Sequence, residues 1–220
     1  GSSSKSTDGF GGHGFHRSSF YDDGSGFGGF GGFGGHGSAG FDQKGQDLNA
    51  SVSVTFDEAA FGCDKRITLQ DQSGKAQTLE VHIPAGIDSG KSIRLRGKGM
   101  PGTGKGGAGD LLLKVTVQPK AGYERKGMDV YTTVSIPYTT AVFGGEARVH
   151  TLYGDVMCKI KEGTQSGSRI RLRGKGIVSM KDANVHGDQY VTVQIQVPRH
   201  LNTEARQKLM EYKKAAAGGR

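Results

Sequence analysis

The residue types and spacings that could do chemistry begin with a phosphate cradle. Gly99 to Lys105 satisfies G-x-x-x-x-G-K, the opening of a loop whose amides and lysine hold nucleotide phosphates. The next residue is Gly106, where a magnesium-binding Ser or Thr would stand. A strand pattern follows, whereas phosphate binding needs a helix N-terminus aimed at the anion. Gly97-x-Gly99-x-x-Gly102 imitates a dinucleotide fingerprint and fails the same context test, so both read as Gly-rich loop. His13-x-x-His16 with His36 offers metal-binding side chains, but in a Gly-rich stretch with no Cys or acidic cluster to help organise a site. His82, His150, His186 and His200 are scattered, and no G-x-S-x-G, H-E-x-x-H or Cys-x-x-Cys occurs. The two cysteines, Cys63 and Cys158, are too far apart for a zinc knuckle or a disulfide framework, which points to a reducing cytosol. The expectation is therefore no catalytic residue, no metal, no cofactor and no enzyme activity.

The repeated chemistry is cationic. Ser89-Gly-Lys-Ser-Ile-Arg-Leu-Arg-Gly-Lys-Gly99 recurs as Ser166-Gly-Ser-Arg-Ile-Arg-Leu-Arg-Gly-Lys-Gly176. Arg94, Arg96 and Lys98, with Arg171, Arg173 and Lys175, could line a basic stripe against phosphates. They also fit strands whose outward cations guard an edge against pairing. No aromatic residues are interleaved with them along the chain, as stacking on single strands would require. Net charge is +8, made of −1 over residues 1–46 and +9 over the rest. A basic body keeps DNA or RNA binding as the alternative function.

The elements that must position these residues come in two kinds. Residues 1–46 hold 16 of the 39 Gly and 7 of the 10 Phe, which run Phe10, Phe15, Phe20, Phe27, Phe30, Phe33 and Phe41. Isolated Phe among Gly forms no core stripe, so this segment reads as flexible linker. Gly1-Ser2 fits an expression scar, and the start has no apolar stretch for a signal peptide. No run is long and apolar enough for a membrane span, so no membrane partner is expected. At Asp47 the period becomes two: Leu48, Ala50, Val52, Val54 and Phe56 alternate with polar residues. Further strands are predicted over 66–70, 78–84, 92–96 and 110–118, then 128–136, 147–152, 155–161, 169–173 and 189–197. Gly154-Asp155 reads as a hairpin turn. The single convincing helix starts after Asn202 and puts Ala205, Leu209, Tyr212 and Ala216 on one face.

The body is a duplication. Besides the arginine motif, Gly109-Asp110 recurs as Gly187-Asp188. Ala60-Phe61-Gly62 with Arg66-Ile67 is echoed by Val142-Phe143-Gly144 with Arg148-Val149. The fold class is all-β: two tandem homologous small β-sandwich domains, preceded by the Gly/Phe-rich segment and followed by a short C-terminal helix. Domain bounds are 1–46 for the linker, 47–121 for domain I, 122–200 for domain II, and 201–220 for the helix and tail. Each domain is too small for a deep core and should leave accessible grooves.

These features together resemble the DnaJ-type, forty-kilodalton heat-shock co-chaperones. The resemblance rests on the Gly/Phe segment, the β repeats, the I-P-A-G-x-x-S-G-K-x-I-R-L-R-G-K-G run ending at Gly99, the Gly109-Asp110 strand entry and the Phe143-Gly144-Gly145 turn. It covers about Gly9 to Tyr212. The family's J domain with its His-Pro-Asp triplet is missing, as are the Cys-x-x-Cys-x-Gly-x-Gly zinc repeats of one subclass. The resemblance implies the C-terminal client-binding region of a subclass without zinc, with a J domain expected upstream of residue 1. It implies unfolded client polypeptide and the seventy-kilodalton heat-shock chaperone as partners, a homodimer, a cytoplasmic location, and ATP-independent holding of clients before delivery. The matching positions of the client groove are Ala50, Val52, Val54, Ile67, Leu69 and Val115. Lys65 matches the basic residue that meets the chaperone's acidic tail, while a second base found in some relatives is absent at Thr68. The helix carrying Ala205, Leu209, Tyr212 and Ala216 matches a segment that pairs two subunits.

Overall fold

The structure, a computed structural model, describes residues 42–70 and 74–219. The Phe-bearing part of the linker and the His13, His16 and His36 reading lie outside the described residues. The alternation that begins at Leu48 forms β1 (Leu48–Val54), with every second side chain turned inward. Thr55 ends it. The Thr55 hydroxyl accepts the Glu58 amide at 3.1 Å, and the Glu58 carboxylate accepts the Thr55 amide at 2.8 Å. This capping box starts α1 (Phe56–Phe61). Phe56, which the alternation assigns to the strand, is thus the first residue of a helix. Gly62 stops the helix at φ +78°, where a Cβ would stand 2.9 Å from the Ala85 amide nitrogen. The chain continues as β2 (Cys63–Gln70), β3 (Ala76–Ile83), β4 (Ser92–Leu95) and β5 (Leu111–Val117). β2 and β3 form an antiparallel hairpin, while β5 lies between β1, to which it is parallel, and antiparallel β4.

Domain II repeats the order with one addition. β6 (Glu124–Lys126) precedes β7 (Asp129–Pro137), α2 (Tyr138–Phe143), β8 (Gly145–Thr151), β9 (Gly154–Ile160), β10 (Arg169–Leu172) and β11 (Gln189–Gln196). Its sheet runs β10-β11-β7-β6, with β7 and β11 parallel, and β8-β9 is the hairpin. The hairpin predicted at Gly154-Asp155 exists, but Leu152-Tyr153 makes its turn and Gly154 opens β9. α2 and Gly144, at φ +76°, repeat α1 and Gly62. The chain ends in α3 (Thr203–Ala217), capped by the Asn202 side chain on the Ala205 amide at 2.7 Å. Three helices therefore stand among the described residues where one was predicted. Six residues are too few to display a helical period in sequence.

The core of domain I gathers Val54, Leu79, Val81, Ile83, Ile87, Leu111, Leu113 and Val115 between sheet and hairpin. Domain II buries Ile136, Ala147, Ile160 and Val193 in one cluster and Val149, Cys158 and Val191 in another. A further cluster joins the domains: Phe56 and Ala60 of α1 pack with Val130 and Ile177 of domain II, beside Tyr123 and Leu152. Arg125 adds two hydrogen bonds across this junction, donating to the carbonyls of Ile87 at 2.5 Å and Gly86 at 2.8 Å. Residues 42–46 are built into domain I as well. The Asp42 carboxylate accepts the Lys105 amide at 2.7 Å, and Gln43 bridges to Thr103. The Gly-rich 97–109 loop wraps this entering segment so closely that a Cβ on Gly106 would collide with the Gln43 carbonyl oxygen. Close backbone packing at Gly99 and Gly106, and a left-handed φ of +63° beside the Asp42 carboxylate at Gly104, explain the glycines of the phosphate-loop look-alike. Among the described residues no helix is long and apolar enough to cross a membrane.

Candidate functional site

Strand pairing leaves the outer edges of β1 and β2 open in domain I, as it does those of β3 and β4. Among the described residues β1 bonds to β5 alone and β2 to β3 alone, and one helix of six residues joins them. Unpaired strand edges expose amides and carbonyls that can receive another strand. The inward side chains beside those edges are apolar. Ala50 and Val52 on β1 and Ile67 and Leu69 on β2 are half-buried and pack on the rim of one core cluster, together with Leu48 and Ile93. Two residues expected in the groove lie deeper: Val54 is 1% exposed and Val115 0%. They are core, because the central strand β5 is covered on its inner face and Val54 ends β1 under the hairpin. Leu48 shares the alternation of β1 and belongs with the rim, though it was not singled out from sequence.

Domain II covers part of the corresponding ground, although the outer edge of β8 is unpaired like that of β2. β6 pairs with Asp129, Val130 and Tyr131, covering the first positions of the β7 edge. The residues matching Lys65, Ile67 and Leu69 are Ala147, Val149 and Thr151, all buried. Gln189, where domain I has Leu111, donates from Nε2 to the Thr132 hydroxyl and the His150 carbonyl, both at 2.9 Å. That contact ties sheet to hairpin, so the two copies differ most where domain I is open.

Lys65 lies at this site but is already engaged. Its ammonium meets Glu58 Oε1 at 2.9 Å, with each side chain about one-third exposed. The hydrogen bond from Lys65 holds the Glu58 carboxyl below the usual carboxylate range, and the same contact raises the Lys65 ammonium. An acidic ligand at Lys65 must therefore compete with Glu58.

The arginine motifs have an internal use. Arg94 Nε donates to Asp110 Oδ2 at 2.7 Å while the Gly97 amide donates to Oδ1 at 2.9 Å. The Asp110 amide in turn donates to the Asp47 carboxylate at 2.7 Å. Domain II repeats each contact with Arg171, Gly174, Asp188 and Asp129, at 2.7, 2.9 and 2.8 Å. One cation of each R-L-R-G-K-G thus locks a turn to the strand that Gly-Asp opens. Both halves of this lock are repeated motifs in the sequence, yet only the fold pairs them. The amide of Gly97, then Arg94, holds the Asp110 carboxyl below its ordinary range; Gly174, then Arg171, does so for Asp188.

The expected pairing helix is bare. No residue of α3 is buried; Ala205 is half-exposed, Ala216 is exposed, and Leu209 and Tyr212 are 45% and 53% exposed. A depression of about 440 Å³ runs along the helix past Leu201, Leu209, Met210, Tyr212 and Ala216. The Tyr212 hydroxyl reaches that of Tyr138 on α2 at 3.0 Å.

Residues 48–198 match the family model described as DnaJ C terminal domain. The chain is 46% identical over 142 residues to the chaperone protein DnaJ of Lachnospira eligens, an alignment covering 64% of this chain and 38% of that protein. It is 45% identical over 145 residues to the chaperone proteins DnaJ of Burkholderia pseudomallei and Burkholderia thailandensis, covering 66% of this chain and 38% of each. The chain therefore spans well under half the length of these relatives.

Proposed function

The chain belongs to the DnaJ C-terminal domain family, and on that premise we propose that it is a chaperone module that captures unfolded client polypeptide along the open edge of domain I. An extended segment adds as a strand, so its backbone supplies affinity without sequence preference. Ala50, Val52, Ile67 and Leu69 take its apolar side chains. The observation that carries this reading is the pair of unpaired edges, β1 and β2, flanked by half-buried apolar residues in domain I, where domain II covers the start of the β7 edge with β6 and buries the matching side chains of its hairpin. Holding needs no ATP. Delivery goes to the seventy-kilodalton heat-shock chaperone, whose acidic tail exchanges with Glu58 on Lys65. A contact this shallow is weak by itself, so two copies joined through α3 raise avidity by effective concentration.

The test is titration of a labelled, permanently unfolded polypeptide into the chain, with duplex DNA as competitor in a parallel sample. Binding is expected to saturate, to survive doubled salt and to ignore the DNA, because apolar capture is not a counterion effect. Val52→Ser with Ile67→Ser is expected to weaken it roughly tenfold, the order expected when two half-buried side chains lose their apolar surface. Unchanged binding by that variant, or binding that collapses with salt, sinks the proposal.

A further inference from the structure

The outer face of the domain II sheet assembles what the linear sequence keeps apart. Register places Arg171 beside Tyr190, Tyr190 beside Tyr131, and Tyr131 beside Glu124. The next row carries Arg169, Thr192 and Thr133. The two tyrosine rings stack with centroids 5.3 Å apart and planes 20° from parallel. Around Tyr131 the Lys126 ammonium lies 4.9 Å, and the Arg169 guanidinium 5.5 Å, from the ring centroid. A shallow depression of about 430 Å³ opens beside them between Tyr123, Lys126, Tyr131 and Arg169. Lys126 also meets Glu124 at 3.5 Å and Arg171 is held by Asp188, whereas Arg169 has no carboxylate within ion-pair distance among the described residues.

A cross-strand aromatic pair can stabilise a sheet without any ligand. Domain I forms the same three-strand arrangement with Asn49 and Leu112 at the matching positions and Ser92 in place of Arg169. The aromatic–cation array is therefore an addition that the fold does not require. Rings and guanidinium planes on a sheet face are stacking surfaces for unpaired bases, and cations at their rim meet the phosphates.

We propose that this face of domain II binds single-stranded nucleic acid, with bases stacking on Tyr131, Tyr190 and Arg169 and phosphates meeting Lys126, Arg169 and Arg171. Duplexes hide their base faces and bind more weakly. The chain's net charge of +8 favours approach of the polyanion. An acidic peptide would use the cations but gain nothing from the rings, so the rings distinguish the two ligands.

The experiment is fluorescence anisotropy of labelled oligo-dT and oligo-U, each of about 20 nucleotides so as to span more than one site. The two arms separate DNA from RNA, both of which fit the stacking chemistry. Tyr131→Ala with Tyr190→Ala is expected to weaken binding about tenfold, while Tyr131→Phe keeps it. Arg169→Glu, at an exposed position, is expected to weaken binding and to reduce the salt slope by about 0.7 or more. All variants are expected to hold unfolded polypeptide as well as the parent chain does, which separates failure here from failure of the client reading. Parent-like oligonucleotide binding by Arg169→Glu overturns the proposal, even if the double alanine chain does not fold. So does a duplex binding as tightly as the single strands, or an acidic peptide displacing the oligonucleotide with equal effect on ring-deleted and parent chains.

Discussion

Asp110 and Asp188 each combine a guanidinium, a glycine amide and a strand start in one contact set. Both carboxyls are held below their ordinary value near about 3.9, so the folded chain favours their ionised form. The stabilisation they add is complete above the unfolded value and disappears as pH falls through the lower folded values. The urea midpoint is therefore expected to drop as pH falls below about 5 and to go on falling through the lower folded values. Asp110→Asn with Asp188→Asn should flatten that drop and lower the urea midpoint near neutrality. The arginines and aspartates are individually conspicuous in sequence as repeated motifs. Their pairing is not, because partners 16 and 17 residues apart meet only once β4 lies beside β5, and β10 beside β11.

At the scale of elements, α1 does more than connect β1 to β2. Its third residue, Glu58, closes the cap on Thr55 and also occupies Lys65. Glu58→Gln keeps an acceptor for the Thr55 amide, since Gln serves in a capping box, and removes the charge that competes for Lys65. An acidic peptide is expected to bind this variant several-fold more tightly by calorimetry, with helix content unchanged; equal or weaker binding would place the peptide elsewhere. β1 is legible from its alternation, yet depth along it is not. Ala50, Val52 and Val54 face the same way, and only the hairpin above decides that Val54 is sealed while Val52 keeps an accessible rim. α1 itself is hidden in sequence because Phe56 continues the strand's alternation and the helix is too short to show its own period.

For the whole molecule, duplication supplies two copies and divergence assigns them different surfaces. Domain I leaves apolar side chains half-buried beside its open β1 and β2 edges; domain II adds β6, buries the inward side chains of its hairpin and gains the tyrosine pair. The copies are held by Phe56, Ala60 and Arg125 at the junction. α3 then offers an apolar strip with no residue buried. Leu209→Asp removes apolar surface from that strip without disturbing any core, so each subunit should fold normally. Sedimentation is expected to shift from dimer to monomer, with client affinity falling as avidity is lost; an unchanged sedimentation coefficient would remove α3 from the pairing.

Local and repetitive information was sufficient for the all-β class, the tandem copies, the terminal helix with its Asn202 cap, and the family likeness. Period-two alternation, turn residues and repeated motifs are properties of neighbouring positions, so a linear reading captures them. What required the tertiary structure was everything set by contact between distant positions. Val54 and Val115 became core, Lys65 acquired Glu58, and Arg94 and Arg171 were drawn into turns. The basic motif of domain II, which lacks interleaved aromatics along the chain, gained them across strands when β11 brought Tyr190 beside Tyr131 and Arg171. Strand register joins residues by hydrogen bonding across a sheet, and no spacing within one strand specifies which side chains will stand on the next.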